Sequence, residues 1–479
     1  MRWRESFRCA EEPLVSVCMK SITKTLDWLR RDSSTPSLPC APSRRILLLT
    51  QVFPPHTEVG AARWEGFAPF LNDEGWGLDV VIEAPQDSTY VDWDRFGKLP
   101  QCVRVTTCTR ENPAWLTFAK KVRSTVTRGS GNSTSGQYPS SAVGDRGLRY
   151  QLRNMVDAIV RTQQAHQLVR GFIEKGLAIA GESPSLLVSS GPAHFVHVAG
   201  HSVSKQMGLP HVVDLRDPWA GQSKGLVSSL LPDEELGANE VPTLSDASLV
   251  ITNTHAAEKA LLARMPRLVG KTCCIPNGSD LIPMSAKRSK QHTFQIVHCG
   301  TLYIDRDPRP FLEAVAKVIR DLGIRPGQIK VVFMGEPSRI AGKSLTQTAN
   351  EIGLGGYFEE REPGTRQQAR ELLCEAAMAV AFQGQNTTQI PAKIFEYVAF
   401  PVWLLGLVGR DSATADILNG TSAFVLDISE VSEIARIVSE CYALHSMGVN
   451  PDPVGKDGRF SRATQATKLL AEFRKLVPL

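Results

Sequence analysis

The sequence lacks long hydrophobic runs. Although 42% of its 479 residues are hydrophobic, no apolar run approaches the roughly 18–20 residues that a membrane-spanning helix needs. The longest candidate, around residues 402–408, has the length of a buried strand. The first residues do not resemble a signal peptide, because Glu11 and Glu12 interrupt any apolar core. The composition therefore favours a soluble, globular, cytoplasmic protein over a membrane-spanning or secreted one.

Metal-binding and disulfide patterns are missing as well. The ten cysteines are scattered without a C-x-x-C motif, and only Cys273 and Cys274 are adjacent. We therefore expect reduced thiols rather than a disulfide framework or a zinc site. The D-x-D tripeptides at 92–94 and 305–307 are of a kind that arises by chance, and we assign no metal and no cofactor. The net charge of +5 is mild and predicts no nucleic-acid partner.

What the sequence does contain is a regular alternation of apolar strands and helical segments. Strands are predicted in RRILLLT, WGLDVVIEAP, PSLLVSSGP and PHVVDLRDPW, and the pattern restarts at FQIVHCGTLY after a polar linker. This alternation on both sides of a linker predicts an α/β fold of two facing, doubly wound Rossmann-like domains. Ligands of such sheets bind outside the carboxyl ends of the strands, so we expect the site in the interdomain cleft.

The length of the chain also indicates more than one domain, since single cores rarely extend beyond about 250–300 residues. We place an N-terminal extension at 1–43, an N-terminal domain at 44–284 with a flexible loop at 125–147, and a C-terminal domain at 285–455. The extension has two interpretations. It is either a tether outside the fold or an addition upstream of the native start, because Met19 offers a second initiation site.

Polar residues follow the strands of the first half. Gly60 and Ala61 open the first helix, where free N–H groups suit a phosphate or a sugar hydroxyl. The alternative is a tight turn that needs glycine for its geometry alone. Asp214, Arg216 and Asp217 crowd a later strand end. There the alternative to a ligand site is a loop-locking ion pair in which Arg216 bridges both aspartates.

A second set of polar residues lies in the C-terminal half. Gly300 and Thr301 end its first strand, and Arg306 follows shortly after. A glycine lets the backbone approach a diphosphate, and an arginine supplies a charged fork for it. Lys393 and Glu396 lie three residues apart in the predicted helix PAKIFEYVA. They would contact a diphosphate and a ribose diol, or form only an i,i+3 pair on the surface.

Together these segments resemble the glycosyltransferase family 4-like group of the GT-B fold over residues 45–475. The matching motifs are, in order, FPPHTEVGAARWEGFAPFLNDEGWGLDVVIEAP, SSGPAHFVHVAG with GLPHVVDLRDPWAG, VITNT with IPNGSD, GTLYIDRDP, and IPAKIFEYVA. The resemblance implies a metal-independent, retaining glycosyltransferase that moves a sugar from a nucleotide diphospho-sugar to a glycan or polyprenyl-linked acceptor, in polysaccharide or glycoconjugate synthesis. It further implies a donor site in the C-terminal domain, an acceptor site in the N-terminal domain, and a last helix, at 456–479, that crosses back to the N-terminal domain.

The resemblance also implies roles for individual residues. Arg306 and Lys393 would stabilise the negative charge that builds on the leaving diphosphate, and Glu396 would bind the ribose. The predicted sets are the catalytic residues Asp217, Arg306 and Lys393, the donor-binding residues Gly300, Thr301, Arg306, Lys393 and Glu396, and the acceptor or phosphate-loop residues Gly60, Ala61, Arg63, Ser190, His194 and Arg216.

The sequence departs from the family pattern at two points. Thr388 stands eight positions before Glu396, where many members carry a glutamate that touches the donor sugar. The helix also lacks a glycine before Phe400–Pro401, so we expect it to end without a left-handed cap. Two alternatives therefore stay open. One is a nucleotide-sugar 2-epimerase of the same fold, with Asp214 and Asp217 as acid/base residues, and the other is a catalytically silent sugar-nucleotide-binding protein.

A basic stretch raises the question of membrane contact. The segment AKKVRSTVTRGSG contains Lys120, Lys121, Arg123 and Arg128 and no acidic residue. It is either a solvated surface or a peripheral contact with the inner face of a membrane, where polyprenyl-linked acceptors are found.

Overall fold

The fold is described from a computed structural model. The residues whose structure is described are 42, 44–85, 91–110, 148–182, 184–219, 233–284, 293–302, 305–336, 339–340, 342–384 and 386–478. The N-terminal extension (apart from residue 42), the loop at 125–147 and the basic stretch at 119–131 lie outside these ranges. Residues 44–479 form one compact unit.

The N-terminal half contains a seven-stranded sheet in which all described pairings are parallel. Its strands are β1 (Arg44–Thr50), β2 (Trp76–Glu83), β3 (Val103–Cys108), β4 (Leu186–Gly191), β5 (His211–Leu215), β6 (Leu249–Thr252) and β7 (Thr272–Cys274). Their order is β3-β2-β1-β4-β5-β6-β7. The helices of this lobe are α1 (Ala62–Asp73), α2 (Trp93–Gly97), α3 (Leu148–Ala180), α4 (Phe195–Met207), α5 (Asp233–Asp246) and α6 (His255–Arg264).

The C-terminal half contains a parallel six-stranded sheet. Its strands are β8 (Phe294–Cys299), β9 (Ile329–Met334), β12 (Phe358–Arg361), β13 (Met378–Phe382), β14 (Trp403–Leu407) and β15 (Phe424–Leu426), in the order β12-β9-β8-β13-β14-β15. A two-stranded hairpin joins β10 (Arg339–Ile340) to β11 (Lys343–Ser344). The remaining helices are α7 (Arg309–Leu322), α8 (Leu345–Ile352), α9 (Arg366–Glu375), α10 (Ala392–Tyr397), α11 (Ala413–Leu418), α12 (Val431–Ser446) and α13 (Arg462–Leu476). Within the described ranges, no helix combines the length and apolarity needed to cross a bilayer.

Each sheet is covered on both faces, which explains its apolar strands. Successive residues of a strand point to opposite faces, and in β1 both Leu47 and Leu48 are fully buried. Leu47 packs with helices α3 and α4, whereas Leu48 packs with α1 and α13. A strand buried on both faces is therefore apolar along most of its length. The predicted α/β class of two doubly wound, Rossmann-like lobes is thereby confirmed.

The last helix, α13, packs on the N-terminal sheet although it follows the C-terminal one. The ring of Phe473 is fully buried, and its centroid lies 6.1 Å from that of Trp76 on β2. At the start of the helix, Arg462 Nε donates to Asp280 Oδ1 over 2.7 Å, and its backbone N–H donates to Ser279. These contacts link the end of the chain to the loop that follows β7.

Candidate functional site

A cavity of about 520 Å³ lies between the two lobes. It is bordered from the N-terminal lobe by Gly60, Arg63, Arg216, Asp217 and Asn277, among others, and from the C-terminal lobe by Arg366, Arg370, Gln389, Phe395 and Glu396. Most of these N-terminal residues follow β1, β5 or β7, so the cavity lies at the carboxyl ends of that sheet, where open α/β sheets bind ligands.

A buried ion pair forms the floor of the N-terminal side. Asp214 is fully buried and accepts hydrogen bonds from Arg63 Nε (3.1 Å) and Nη2 (3.0 Å), Trp64 Nε1 (2.9 Å) and Ser190 Oγ (2.8 Å). The remaining Arg63 nitrogen, Nη1, reaches Asn277 Oδ1 at 3.3 Å. Arg63 and Ser190 were both predicted to contact a ligand. In the structure their polar atoms bond Asp214 while Arg63 also borders the cavity, so ligand contact stays a prediction.

Arg216 bonds backbone carbonyls and does not bridge the two aspartates, which was one of its two interpretations. Its guanidinium donates from Nε to Gly191 O (3.1 Å), from Nη2 to Pro192 O (2.6 Å) and from Nη1 to Gly60 O. Asp214 is already saturated by other donors, so Arg216 bonds backbone carbonyls. A β-carbon at Gly60 would lie 2.8 Å from Arg216 Nη1, so glycine is needed there for this close approach.

Two hydrogen bonds cross the cleft near Asp217. Gln389 Nε2 from the C-terminal lobe donates to Asp217 Oδ1. Burial raises the pKa of Asp217, and the positive charge of Arg216 together with the Gln389 bond opposes that rise. Thr254 Oγ1 donates to the backbone carbonyl of Thr388 over 2.6 Å. The loop that carries Thr388 is therefore tied to the N-terminal lobe at the cleft.

The cationic residues of the C-terminal lobe meet at the carboxyl end of β8. Lys393 Nζ lies 3.1 Å from His298 Nε2, and His298 Nδ1 lies 2.9 Å from the carbonyl oxygen of Val380. Gly300 has a φ of 118°, and a β-carbon there would lie 2.9 Å from Lys393 Nζ. The ammonium therefore rests against the backbone of the glycine that ends the strand.

Lys393 is electrostatically unusual. Burial and, to a smaller extent, the positive charge of Arg306 lower its pKa to about 7. Lys393 and Arg306, the two residues predicted to contact phosphate, thus interact electrostatically. A desolvated ammonium that is repelled by a second cation is a setting in which an anionic ligand would be strongly favoured.

Glu396 faces a different direction from Lys393. Its half-buried carboxylate borders the cavity, whereas Lys393, Gly300, Thr301 and Arg306 are not among the residues that border it. Lys393 bonds His298, and the two described side chains of Lys393 and Glu396 form no ion pair with each other. The simple surface-pair interpretation of this spacing is therefore wrong. Of the two residues, Glu396 borders the cavity and Lys393 does not.

His194 and Ala61, which were also predicted at the site, lie in the interior. The His194 ring stacks on Trp219 with centroids 5.5 Å apart and planes 8° apart, and burial lowers its pKa to about 4. Ala61 is fully buried. Neither side chain borders the cavity, so both contribute to packing beneath it.

One aspartate of each D-x-D tripeptide has a local partner. Asp92 accepts a hydrogen bond from the backbone N–H of Arg95 and so caps α2, a common role for aspartate at a helix start. Asp307 pairs with Arg309 at 2.6 Å. Across the described ranges, no cluster of three histidine, cysteine or acidic side chains has a metal-binding arrangement.

Helix α10 ends without a left-handed residue, as expected from its missing glycine. Val398, at its end, has a right-handed backbone conformation. The carbonyl of Val398 accepts from Gly455 N over 2.7 Å, and that of Ala399 accepts from Met284 N over 2.9 Å. Backbone N–H groups from the interdomain linker and from the chain before α13 thus satisfy the first two carbonyls after the helix.

Sequence reasoning missed several residues of the cleft. His298 is a single histidine within an apolar strand, a pattern that by itself favours simple burial, and Gln389 had no distinguishing pattern. Arg462 belongs to a helix that was predicted only as an element. One signal could have found His298. It is a polar residue in an otherwise apolar strand that ends in glycine.

No family model and no curated protein sequence matches the chain. Solved structures do match it. HepE of Anabaena, in complex with UDP, superposes with a TM-score of 0.55 at 16% identity, covering 90% of this chain and 100% of that chain. The apo lipopolysaccharide outer core galactosyltransferase WaaB gives 0.54 at 7% identity, covering 90% and 99%. TarM gives 0.56 at 8% identity, covering 91% and 99%.

These structural neighbours are GT-B glycosyltransferases. The chain has their fold, with two Rossmann-like lobes that face each other across a cleft. The resemblance that the sequence motifs indicated is confirmed at the level of the fold.

Proposed function

We propose that this chain is a retaining glycosyltransferase that moves a sugar from a nucleoside diphospho-sugar to a glycan or lipid-linked acceptor. The observation that carries the proposal is the buried ammonium of Lys393 at the glycine end of β8, where it lies next to His298 and is repelled by Arg306. Lys393 Nζ lies against Gly300, at 2.9 Å from the position that a β-carbon would take there.

The chemistry of transfer explains why cations belong there. Breaking the bond between a sugar and a diphosphate puts negative charge on the leaving group as the sugar gains oxocarbenium character. Fixed positive charges next to the leaving group stabilise the transition state more than the ground state. Lys393 and Arg306 would supply that charge, and Lys393, with a pKa of about 7, would become fully protonated when the diphosphate binds.

The cavity provides the rest of the proposed donor site. Glu396 borders it with a half-buried carboxylate, a suitable acceptor for two vicinal ribose hydroxyls. Asp217 faces it from the other lobe and would lie near the sugar and the acceptor. Because the HepE structure contains UDP, as does a second TarM structure, UDP is the first nucleotide to test.

The hydrogen bonds of the cleft argue against the 2-epimerase more than against the catalytically silent protein. A 2-epimerase would need carboxylates free to exchange protons, but Asp214 already accepts four hydrogen bonds inside the lobe, which leaves Asp217 alone. A catalytically silent nucleotide-binding protein is the second candidate. It is favoured by Thr388, whose hydroxyl donates to Asn386 Oδ1 over 3.0 Å within its own loop, where a glutamate would reach the sugar.

The test measures UDP affinity by calorimetry in the wild type, in Lys393→Ala and in a control, Lys317→Ala. Lys317 lies in an exposed i,i+4 pair with Asp321 on α7. We expect Lys393→Ala to weaken UDP binding about tenfold or more, which corresponds to about 1.4 kcal/mol. Its stability should stay within about 1 kcal/mol of the wild type, and the control should change neither quantity.

Unchanged UDP affinity in Lys393→Ala would remove the lysine from the site. A panel of UDP-sugars and acceptors then separates the two candidates. Release of UDP that requires an acceptor supports the transferase, whereas tight binding without release supports the silent protein.

A further inference from the structure

His298 is a buried histidine that the proposed function leaves without a role. We propose that it is a positioning residue, whose neutral imidazole accepts a hydrogen bond from Lys393 and so holds the ammonium over Gly300. This inference rests on the proposed function, because it concerns the cation that would meet the diphosphate.

The tautomer of His298 follows from its partners. A backbone carbonyl can only accept, so Nδ1, 2.9 Å from Val380 O, must carry the proton. In the neutral ring Nε2 then has a free lone pair, and that nitrogen lies 3.1 Å from Lys393 Nζ. The bond is therefore donated by the ammonium and accepted by the imidazole.

The ring has little freedom to move. His298 is fully buried, and its centroid lies 5.3 Å from that of Phe333 and 5.0 Å from that of Phe382. Close packing and the Val380 bond together fix the direction of the Nε2 lone pair. A lysine side chain, by contrast, has four rotatable bonds and needs an external partner to occupy one position.

A neutral acceptor suits this position better than a carboxylate would. Arg306 repels the Lys393 ammonium, so some acceptor is needed to keep the two cations together. A carboxylate would hold the ammonium but also cancel its charge. Burial keeps the pKa of His298 well below its ordinary value, so the imidazole stays neutral and leaves the positive charge available to a ligand.

Two substitutions distinguish the roles of the two ring nitrogens of His298. The amide of His298→Asn reaches only the Nδ1 position, so it keeps the Val380 bond and loses the acceptor for Lys393. The amide of His298→Gln extends to the Nε2 position and keeps an acceptor there. Both variants lose the same ring packing, so they form a matched pair.

The first readout is the position of Lys393 Nζ in crystal structures of the ligand-free variants. We expect the ammonium to stay over Gly300 in His298→Gln and to leave it in His298→Asn. The second readout is UDP affinity, which we expect to fall at least about tenfold more in the Asn variant than in the Gln variant. If the Asn variant does not fold, His298→Phe, which fits between the two phenylalanines and has no acceptor, should behave in the same way.

An ammonium that stays over Gly300 in both His298→Asn and His298→Phe would overturn the proposal. Equal losses of UDP affinity in the Asn and Gln variants, in step with equal losses of melting temperature, would also overturn it, because they would indicate a purely structural histidine. A wild type that binds no nucleoside diphosphate would refute the proposed function instead. The crystallographic position of Nζ would still decide the role of His298.

Discussion

The ion pair between Arg63 and Asp214 allows a quantitative test of how the N-terminal side of the cleft is built. Both side chains are almost completely buried, with 2% and 0% of their side-chain surface exposed. Asp214→Asn keeps the shape of the side chain and removes its charge. The guanidinium of Arg63 then remains buried beside a neutral amide.

The geometry makes this substitution unusually costly. Arg63 donates to both carboxylate oxygens, from Nε to Oδ2 and from Nη2 to Oδ1. Whichever way the new amide turns, its NH₂ group faces a donor of Arg63. Removing one member of a buried ion pair costs about 3–5 kcal/mol, because the other charge is left uncompensated.

Scanning calorimetry is the suitable assay, because the two lobes need not unfold in one step. For a lobe of about 150–250 residues, a loss of 3–5 kcal/mol lowers the melting temperature by roughly 6–20 °C. The matched control is Glu74→Gln, which removes the acid from an exposed pair with Arg474, in which 48% and 45% of the side chains are exposed. Exposed pairs contribute at most about 1 kcal/mol, so the control should melt close to the wild type.

A melting temperature of Asp214→Asn within about 2 °C of the wild type would refute this reasoning, since it corresponds to 1 kcal/mol or less. The carboxylate would then have to be solvated or differently paired. A loss of melting temperature in Asp214→Asn that only matched that of Glu74→Gln would also refute it.

Two further predictions concern the cation site. Because Lys393 has a pKa of about 7 in the free protein, it is charged below pH 7 and loses its proton above, so UDP affinity should be full below pH 7 and should fall between pH 7 and 9. Calorimetric titrations of the wild type and Lys393→Met check this, and a decline of equal size in the variant would contradict it. Gly300→Ala should abolish UDP binding, because its β-carbon would meet Lys393 Nζ. Gly323→Ala, at a left-handed φ of 60° with open space around it, is the control for a β-carbon at a positive φ and should still bind UDP.

The central strands were predictable because burial on both faces leaves a continuous apolar run. The edge strands were not. Strand β12 reads FEER, and its Glu359 pairs with both Arg361 and Lys330. Strand β3 reads VRVTTC, and its Arg104 pairs with Asp79 of β2. An edge strand with solvated side chains has the composition of a loop, so hydrophobic periodicity cannot distinguish the two.

The location of the site was predictable from the sequence, but the pairing of its charged side chains was not. Strand ends could be inferred from apolar runs, and parallel strands bring their carboxyl ends to one edge. Which arginine would pair with Asp214 could not be inferred in that way. Arg63 stands 151 positions away, whereas Arg216 is two residues away and binds carbonyls instead. Sequence proximity favoured the wrong partner because the pairing depends on how β1 and β5 are ordered in the sheet.

The cations of the cleft differ in what their charge is available for. Arg63 is neutralised by a buried carboxylate, and Arg216 is bonded to three backbone carbonyls, so both stabilise the lobe itself. Lys393 is held by a neutral imidazole and repelled by Arg306. Its charge is therefore the least compensated of the three, although all three residues follow strands in the sequence. A basic residue indicates a ligand site only when its own partners leave its charge unsatisfied, and those partners are known only from the fold.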